Sequence, residues 1–153
     1  MIRLITPLII LLQILISAPA RSQKPASVEN INLQPLWGPT GYKFVEYYYI
    51  PACEIYYHVP TAQFIYRSGN DWLYSKTVPF STCDIYSSYK VVINEARPYY
   101  RHYKYFKIYK DFATSAEPQE TISESADPKY FVVNGHPQFK NEKEKKIPAK
   151  KDR

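Results

Sequence analysis

Glycine is scarce in this chain, with four residues in 153. So few leave no glycine-rich loop to cradle phosphates, and the nucleotide-binding motifs that depend on one are excluded. Cysteine is scarcer still. The two present, Cys53 and Cys83, do not form a Cys-x-x-Cys redox or zinc motif. The three histidines, His58, His102 and His136, fall in separate segments, and neither His-Glu-x-x-His nor Gly-x-Ser-x-Gly occurs. Glu46 and Glu54 are the nearest approach to a glycosidase-type carboxylate pair, yet strand alternation sets them on opposite faces. No nucleophile–base or metal constellation can be assembled, so an enzyme is the least supported class. No catalytic residue, metal ligand or cofactor is expected. The Asn-x-Ser/Thr glycosylation acceptor is missing as well.

Long apolar runs are confined to the first twenty residues. Arg3 supplies a positive start, Leu8 to Ile16 are apolar apart from Gln13, and Ala18-Pro19-Ala20 is a small-residue cleavage pattern. That order reads as a secretory signal peptide over 1–20, too short and too Pro-flanked for a membrane anchor. No transmembrane segment is expected in the mature chain, and its location is expected to be periplasmic or extracellular.

The net charge of +6 is unevenly spread, because Lys140 to Arg153 hold seven basic and three acidic residues. Once that tail and Arg3 are set aside, only +1 remains for the body, which argues against a nucleic-acid partner. The tail "KNEKEKKIPAKKDR" is low in complexity and reads as disordered. Its available polyanions outside the cytoplasm are envelope polymers or lipid head groups. Arg97 to Lys110 contain five basic residues and no acid, and Asp111 to Asp127 contain five acids and no base. The Ser-, Thr-, Glu- and Pro-rich second block reads as a solvated linker lying near the first.

What the chain has in excess is tyrosine, sixteen in all. From residue 42 to 96, alternating Tyr, Val, Ile, Phe and Trp predict strands near 43–50, 53–59, 62–67, 71–76 and 90–95. Turn signals stand at Pro51-Ala52, Pro60-Thr61 and Ser68-Gly69-Asn70. A two-residue turn at Pro51-Ala52 would set residue 50 opposite 53. One face of that hairpin then carries Phe44, Glu46, Tyr48, Ile50, Cys53, Ile55, Tyr57 and Val59, and is the core face with Glu46 as its anomaly. The other carries Lys43, Val45, Tyr47, Tyr49, Glu54, Tyr56 and His58. This second face reads as aromatic and half-wet, and Tyr47, Tyr49, Tyr56 and His58 form the candidate binding face. Tyrosine also serves as plain sheet material, since its ring packs while its hydroxyl stays wet.

In an oxidising compartment two cysteines in a small domain predict a Cys53–Cys83 disulfide, which would pin the Thr77–Tyr89 excursion to the first hairpin. After Arg97, Pro98 suits a first helical position. A helix near 98–112 would group Tyr99, Tyr103, Phe106 and Tyr109 on one side, with Arg97, Arg101 and Lys104 opposite. Docking on the sheet is its expected role. The expected fold class is mainly β: a small antiparallel meander or partly open barrel of about five strands, with one C-terminal amphipathic helix and a disordered tail. Along the chain this gives a signal peptide (1–20), an N-terminal extended segment (21–41), a β-rich domain with its covering helix (42–112), an acidic linker (113–128) and a basic low-complexity tail (129–153).

The succession "YYYIP", "EIYYHVP", "QFIYRSGNDWLYS", "DIYSSYKVVI" and "RPYY", spanning Glu46 to Tyr100, resembles a group of small exported tyrosine-rich proteins of Gram-negative bacteria that carry no assigned function. The resemblance implies a secreted or periplasmic β-rich domain and supplies no substrate or catalytic residue. Two functional classes remain. The first is a non-catalytic, envelope-associated binding module for a glycan or anionic polymer. The alternative is a structural or protein-interaction protein of the cell envelope.

Overall fold

A computed structural model describes residues 29–139. The signal-peptide reading and the basic stretch from residue 140 onward lie outside the described residues.

Five strands form one open antiparallel sheet: β1 (Tyr47–Ile50), β2 (Ile55–His58), β3 (Gln63–Ser68), β4 (Asp71–Ser75) and β5 (Val91–Ile93). Their order across the sheet is β4-β3-β2-β1-β5. The first four make a hairpin meander, and the chain then crosses through residues 76–90 to add β5 on the far side of β1. One helix, α1 (His102–Tyr109), comes after a 3-10 turn over Pro98–Arg101 and runs on into another over Lys110–Thr114. The expected mainly-β architecture with one helix is present.

The β1–β2 turn differs from expectation. Ile50 faces Ile55, not Cys53, so four residues connect the strands instead of two. Cys53 N–H donates to Ile50 O and Glu54 N–H to Pro51 O, and Glu54 ends the loop in the left-handed region at φ 53°. Because the register moves by two residues and side chains alternate with period two, each strand residue keeps its predicted face. β1 also starts later than residue 43. Upstream, the Asn30 side chain acts as Val45's strand partner: its Nδ2 donates to Val45 O (2.7 Å) and its Oδ1 accepts from Val45 N (2.9 Å). Val45 thereby leaves the alternation and packs with the Tyr48 face.

That face buries Tyr48, Ile50, Ile55, Tyr57, Val59 and Phe64. Trp37 covers it, with ring centroids 5.6 Å from Tyr48 and 5.0 Å from Tyr57. Gly38 lets this segment approach, since a Cβ there would sit 2.8 Å from the Tyr48 hydroxyl. Ile85 and Val78 of the crossing segment complete the cover. The Cys53–Cys83 disulfide, with Cα atoms 5.6 Å apart, fastens that segment to the β1–β2 loop. Replacing both cysteines with serine should lower stability by about 2–5 kcal/mol. Denaturant unfolding of the variant checks this, and a midpoint equal to that of the oxidised parent would show the crossing segment held by packing alone.

The opposite face buries Tyr47, Tyr49, Tyr56, Ile65 and Ile93 beneath Tyr99 and Tyr105 of the helical segment. The helix docks as expected, but in a different rotational phase. Tyr99, His102, Tyr105 and Tyr109 turn inward or lie half-buried, while Tyr103 and Phe106 are exposed. The opening 3-10 turn advances about 120° per residue against 100° for an α-helix, so four such residues rotate the rest of the helix by roughly 80°.

Residues expected to be a solvated linker and tail are part of the body. Ile122 is fully buried and clusters with Ile31, Tyr130 and Val133. The strip around it pairs with the N-terminal segment: Thr40 N–H donates to Glu120 O, Ile122 N–H to Gly38 O and Ser123 N–H to Leu36 O. Thr121 and Glu124 form a capping box at its 3-10 turn, and the Thr121 hydroxyl holds the Glu124 carboxyl below its usual range. Gln119 then closes part of the β5 edge, its amide bonding both N–H and C=O of Lys90. Polar composition concealed a strip whose hydrogen bonds are supplied by its neighbour.

Candidate functional site

The sequence-predicted binding face is not at the surface. Tyr49 and Tyr56 are 0% exposed and Tyr47 is buried, all beneath the helical segment. This corrects the half-wet reading, and its cause is that the sheet is covered on both sides. His58 is half-buried, its ring 4.6 Å from Tyr47, with Nδ1 bonded to the Thr61 hydroxyl (2.8 Å) and Nε2 to Glu46 (3.3 Å). That contact also accounts for Glu46, the anomaly of the predicted core face. The four residues do not converge on a common opening.

One of them nevertheless reaches a surface site. The Tyr56 hydroxyl lies 3.1 Å from His102 Nδ1, and His102 Nε2 lies 3.2 Å from Glu54 Oε2. Burial pushes the Tyr56 hydroxyl far above its ordinary range and keeps it neutral. With Glu54 ionised and the imidazole neutral, one pattern satisfies all three groups: Tyr56 O–H donates to Nδ1, and Nε2–H donates to the carboxylate. This chain of bonds ties an inward-facing tyrosine to Glu54, which is 54% exposed.

Glu54 and His102 line a cleft of about 430 Å³, together with Arg67, Asn70 and Trp72 from the β3–β4 hairpin and Tyr99, Tyr100, Tyr103 and Phe106 from the helical segment. The three walls are set directly by the fold. The four-residue β1–β2 loop projects Glu54, the Ser68–Asp71 turn presents Asn70 between Arg67 and Trp72, and the shifted helix phase turns Tyr103 and Phe106 outward. Tyr100 and Tyr103 are 66% and 72% exposed, so large aromatic surface stands open at the mouth. The rings meet at angles. Trp72 and Tyr99 have centroids 5.6 Å apart with planes at 54°, and Tyr99 and Tyr100 lie 4.8 Å apart at 56°.

A second concavity of about 400 Å³ lies beyond β5, lined by Tyr42, Tyr89, Lys90, Val91, Val92, Asn94, Tyr109 and Phe112. Its cation is engaged, since Lys90 Nζ donates to Tyr86 O (2.9 Å). Among the described residues, no group of three or more His, Cys, Asp or Glu side chains gathers as a metal site would require.

No family model, curated protein or solved structure matches the chain. The geometry of the cleft is therefore the ground for a functional reading. Sequence reasoning missed the cleft because Glu54, the 67–72 hairpin and the 99–106 segment are distant in the chain. The one available signal was Pro98 with tyrosines after it at spacings that a 3-10 opening would rotate.

Proposed function

We propose that the protein is a non-catalytic, exported binding module that retains a cell-envelope glycan in the cleft between the β3–β4 hairpin and α1. The observation that carries this reading is the composition of the cleft, with five aromatic rings set among Glu54, Arg67 and Asn70. Sugar rings present apolar C–H faces that lie against aromatic planes and hydroxyls that need a few placed donors and acceptors. The binding reading drawn from the tyrosine face thus moves to the cleft at the rim of the helical segment that covers it. Export is supported by the leader-like start of the sequence, the Cys53–Cys83 bridge and the resemblance to small exported proteins. Among the described residues, no helix is long and apolar enough to cross a membrane.

Retention on purified envelope polysaccharide tests the reading. The parent protein should be retained, and Tyr103→Ala should lose at least several-fold in retention at nearly unchanged melting temperature, because its ring is mostly in water. Equal retention of the parent and this variant would remove the cleft from the function.

A specific observation favours the alternative of a protein-interaction role. β4 is an edge strand with Leu73 and Tyr74 exposed, a place where a partner's extended segment can add. Crosslinking in the intact envelope, with the crosslinker placed on β4, would reveal such a partner.

A further inference from the structure

Two features of the cleft go beyond what a neutral sugar requires. The first is the arrangement of its rings. Tyr99 stands at more than 50° to both Trp72 and Tyr100, so the rings meet at corners and do not form one flat shelf. A corner of electron-rich faces suits a round cation, which gains from several ring faces at once. The second is charge. Glu54 sits beside these rings with Oε2 held by His102, and the carboxylate is half in water, open to a ligand in the cleft. On the hairpin side, Arg67 uses Nε to hold Gly69 O (2.9 Å) and makes no ion pair among the described residues.

Glu54 also occupies a backbone position that favours glycine, at φ 53°. A carboxylate kept there, fixed from behind by the His102–Tyr56 chain, is arranged for something in front of it. An acid against tilted rings and a guanidinium without an acidic partner in the same cleft present opposite charges to one ligand.

We infer that the cleft selects a zwitterionic substituent borne on the glycan, one with an alkylated ammonium group next to a phosphate or carboxylate. The ammonium is enclosed by Trp72, Tyr99, Tyr100 and Glu54, and the anionic group faces Arg67 and Asn70. This inference rests on the glycan-binding reading for its carrier and on the cleft alone for its chemistry.

Titration calorimetry of the disulfide-intact protein with phosphocholine, choline, inorganic phosphate and a neutral chito-oligosaccharide tests it. Phosphocholine should bind saturably, and choline and phosphate should each bind about tenfold more weakly. Glu54→Gly should lower phosphocholine affinity about tenfold without lowering the melting temperature, since glycine relieves the left-handed backbone. Glu54→Gln, which keeps the side chain and removes its charge, should lose affinity similarly. No saturable phosphocholine binding, or unchanged binding in both variants, overturns the inference. Binding of the chito-oligosaccharide without phosphocholine overturns it too while leaving the glycan reading in place. Phosphocholine binding by a protein that envelope polysaccharide does not retain keeps the cage chemistry and removes the glycan as carrier. Co-sedimentation with phosphatidylcholine vesicles would assign the carrier to a lipid and likewise overturn the glycan-borne form.

Discussion

Raised from about pH 9 to about pH 12, the protein unfolds in one cooperative step, and the tyrosinate absorbance of its buried tyrosines appears with that step. Burial drives this expectation, because it pushes the hydroxyls of Tyr48, Tyr49 and Tyr56 far above their ordinary range. It also raises those of Tyr47, Tyr57 and Tyr99, and takes Tyr105 up to about 12. An unfolded tyrosine begins to lose its proton near pH 10, while its folded counterpart keeps it. Above that point the unfolded state binds fewer protons, and stability falls as pH rises. Each such group contributes about 1.4 kcal/mol per pH unit. Tyr48, Tyr49 and Tyr56 alone then remove about 4 kcal/mol by pH 11 and about 8 kcal/mol by pH 12, comparable with the whole stability of an ordinary domain. Lys90 works the other way. Burial lowers its affinity for a proton, so its desolvation cost is relieved at high pH, but it is one group against several. Far- and near-ultraviolet signals recorded together give the test. Ionisation of all sixteen tyrosines with retained secondary structure would show that the buried hydroxyls are reached by water in the folded state.

The strands were legible because period-two alternation of Tyr, Val and Ile leaves little choice of backbone, and the faces survived a misplaced turn. A two-residue slip preserves parity, so Tyr48 with Tyr57 and Tyr49 with Tyr56 stay on their predicted sides. What alternation cannot report is whether a face is covered. Tyr49 and Tyr56 read as half-wet because tyrosine fits both situations, and the covering helix is decided by residues some fifty positions later. The helix itself was legible from Pro98, but its phase was not, since a 3-10 opening carries no composition signal separate from an α-helical one. Ile122 shows the same limit from the polar side. A single isoleucine in an acidic strip becomes core once Leu36, Gly38 and Thr40 supply the strip with hydrogen-bond partners. The cleft inherits all of these gaps, because each of its walls depends on a turn length or a helix phase.

Truncating one tyrosine from each face measures whether the sheet is covered on both sides. Tyr48→Ala and Tyr56→Ala should each cost about 3–5 kcal/mol, the range for emptying a large aromatic site. Tyr48 packs against Trp37 and donates its hydroxyl to Gln34 Oε1 (3.0 Å), so its loss opens space and leaves a buried amide oxygen without that donor. Tyr56 packs against Tyr49 (4.8 Å), Trp72 (5.9 Å) and Tyr99 (6.3 Å), and its loss also releases His102 Nδ1. If Tyr48→Ala costs several kcal/mol and Tyr56→Ala well under one, the helix does not cover its face, and the tyrosine platform returns as a binding surface. Tyr56→Phe separates packing from the hydrogen-bonded chain. It keeps the ring and removes only the bond to His102, which should cost about 1 kcal/mol of stability. Because Glu54 is steadied through His102, the same variant should weaken retention on the glycan although Tyr56 itself is buried beneath the helix. Retention unchanged in Tyr56→Phe but lost in Glu54→Gln would show that the carboxylate acts without support from the sheet, and would confine the site to the rim of the cleft.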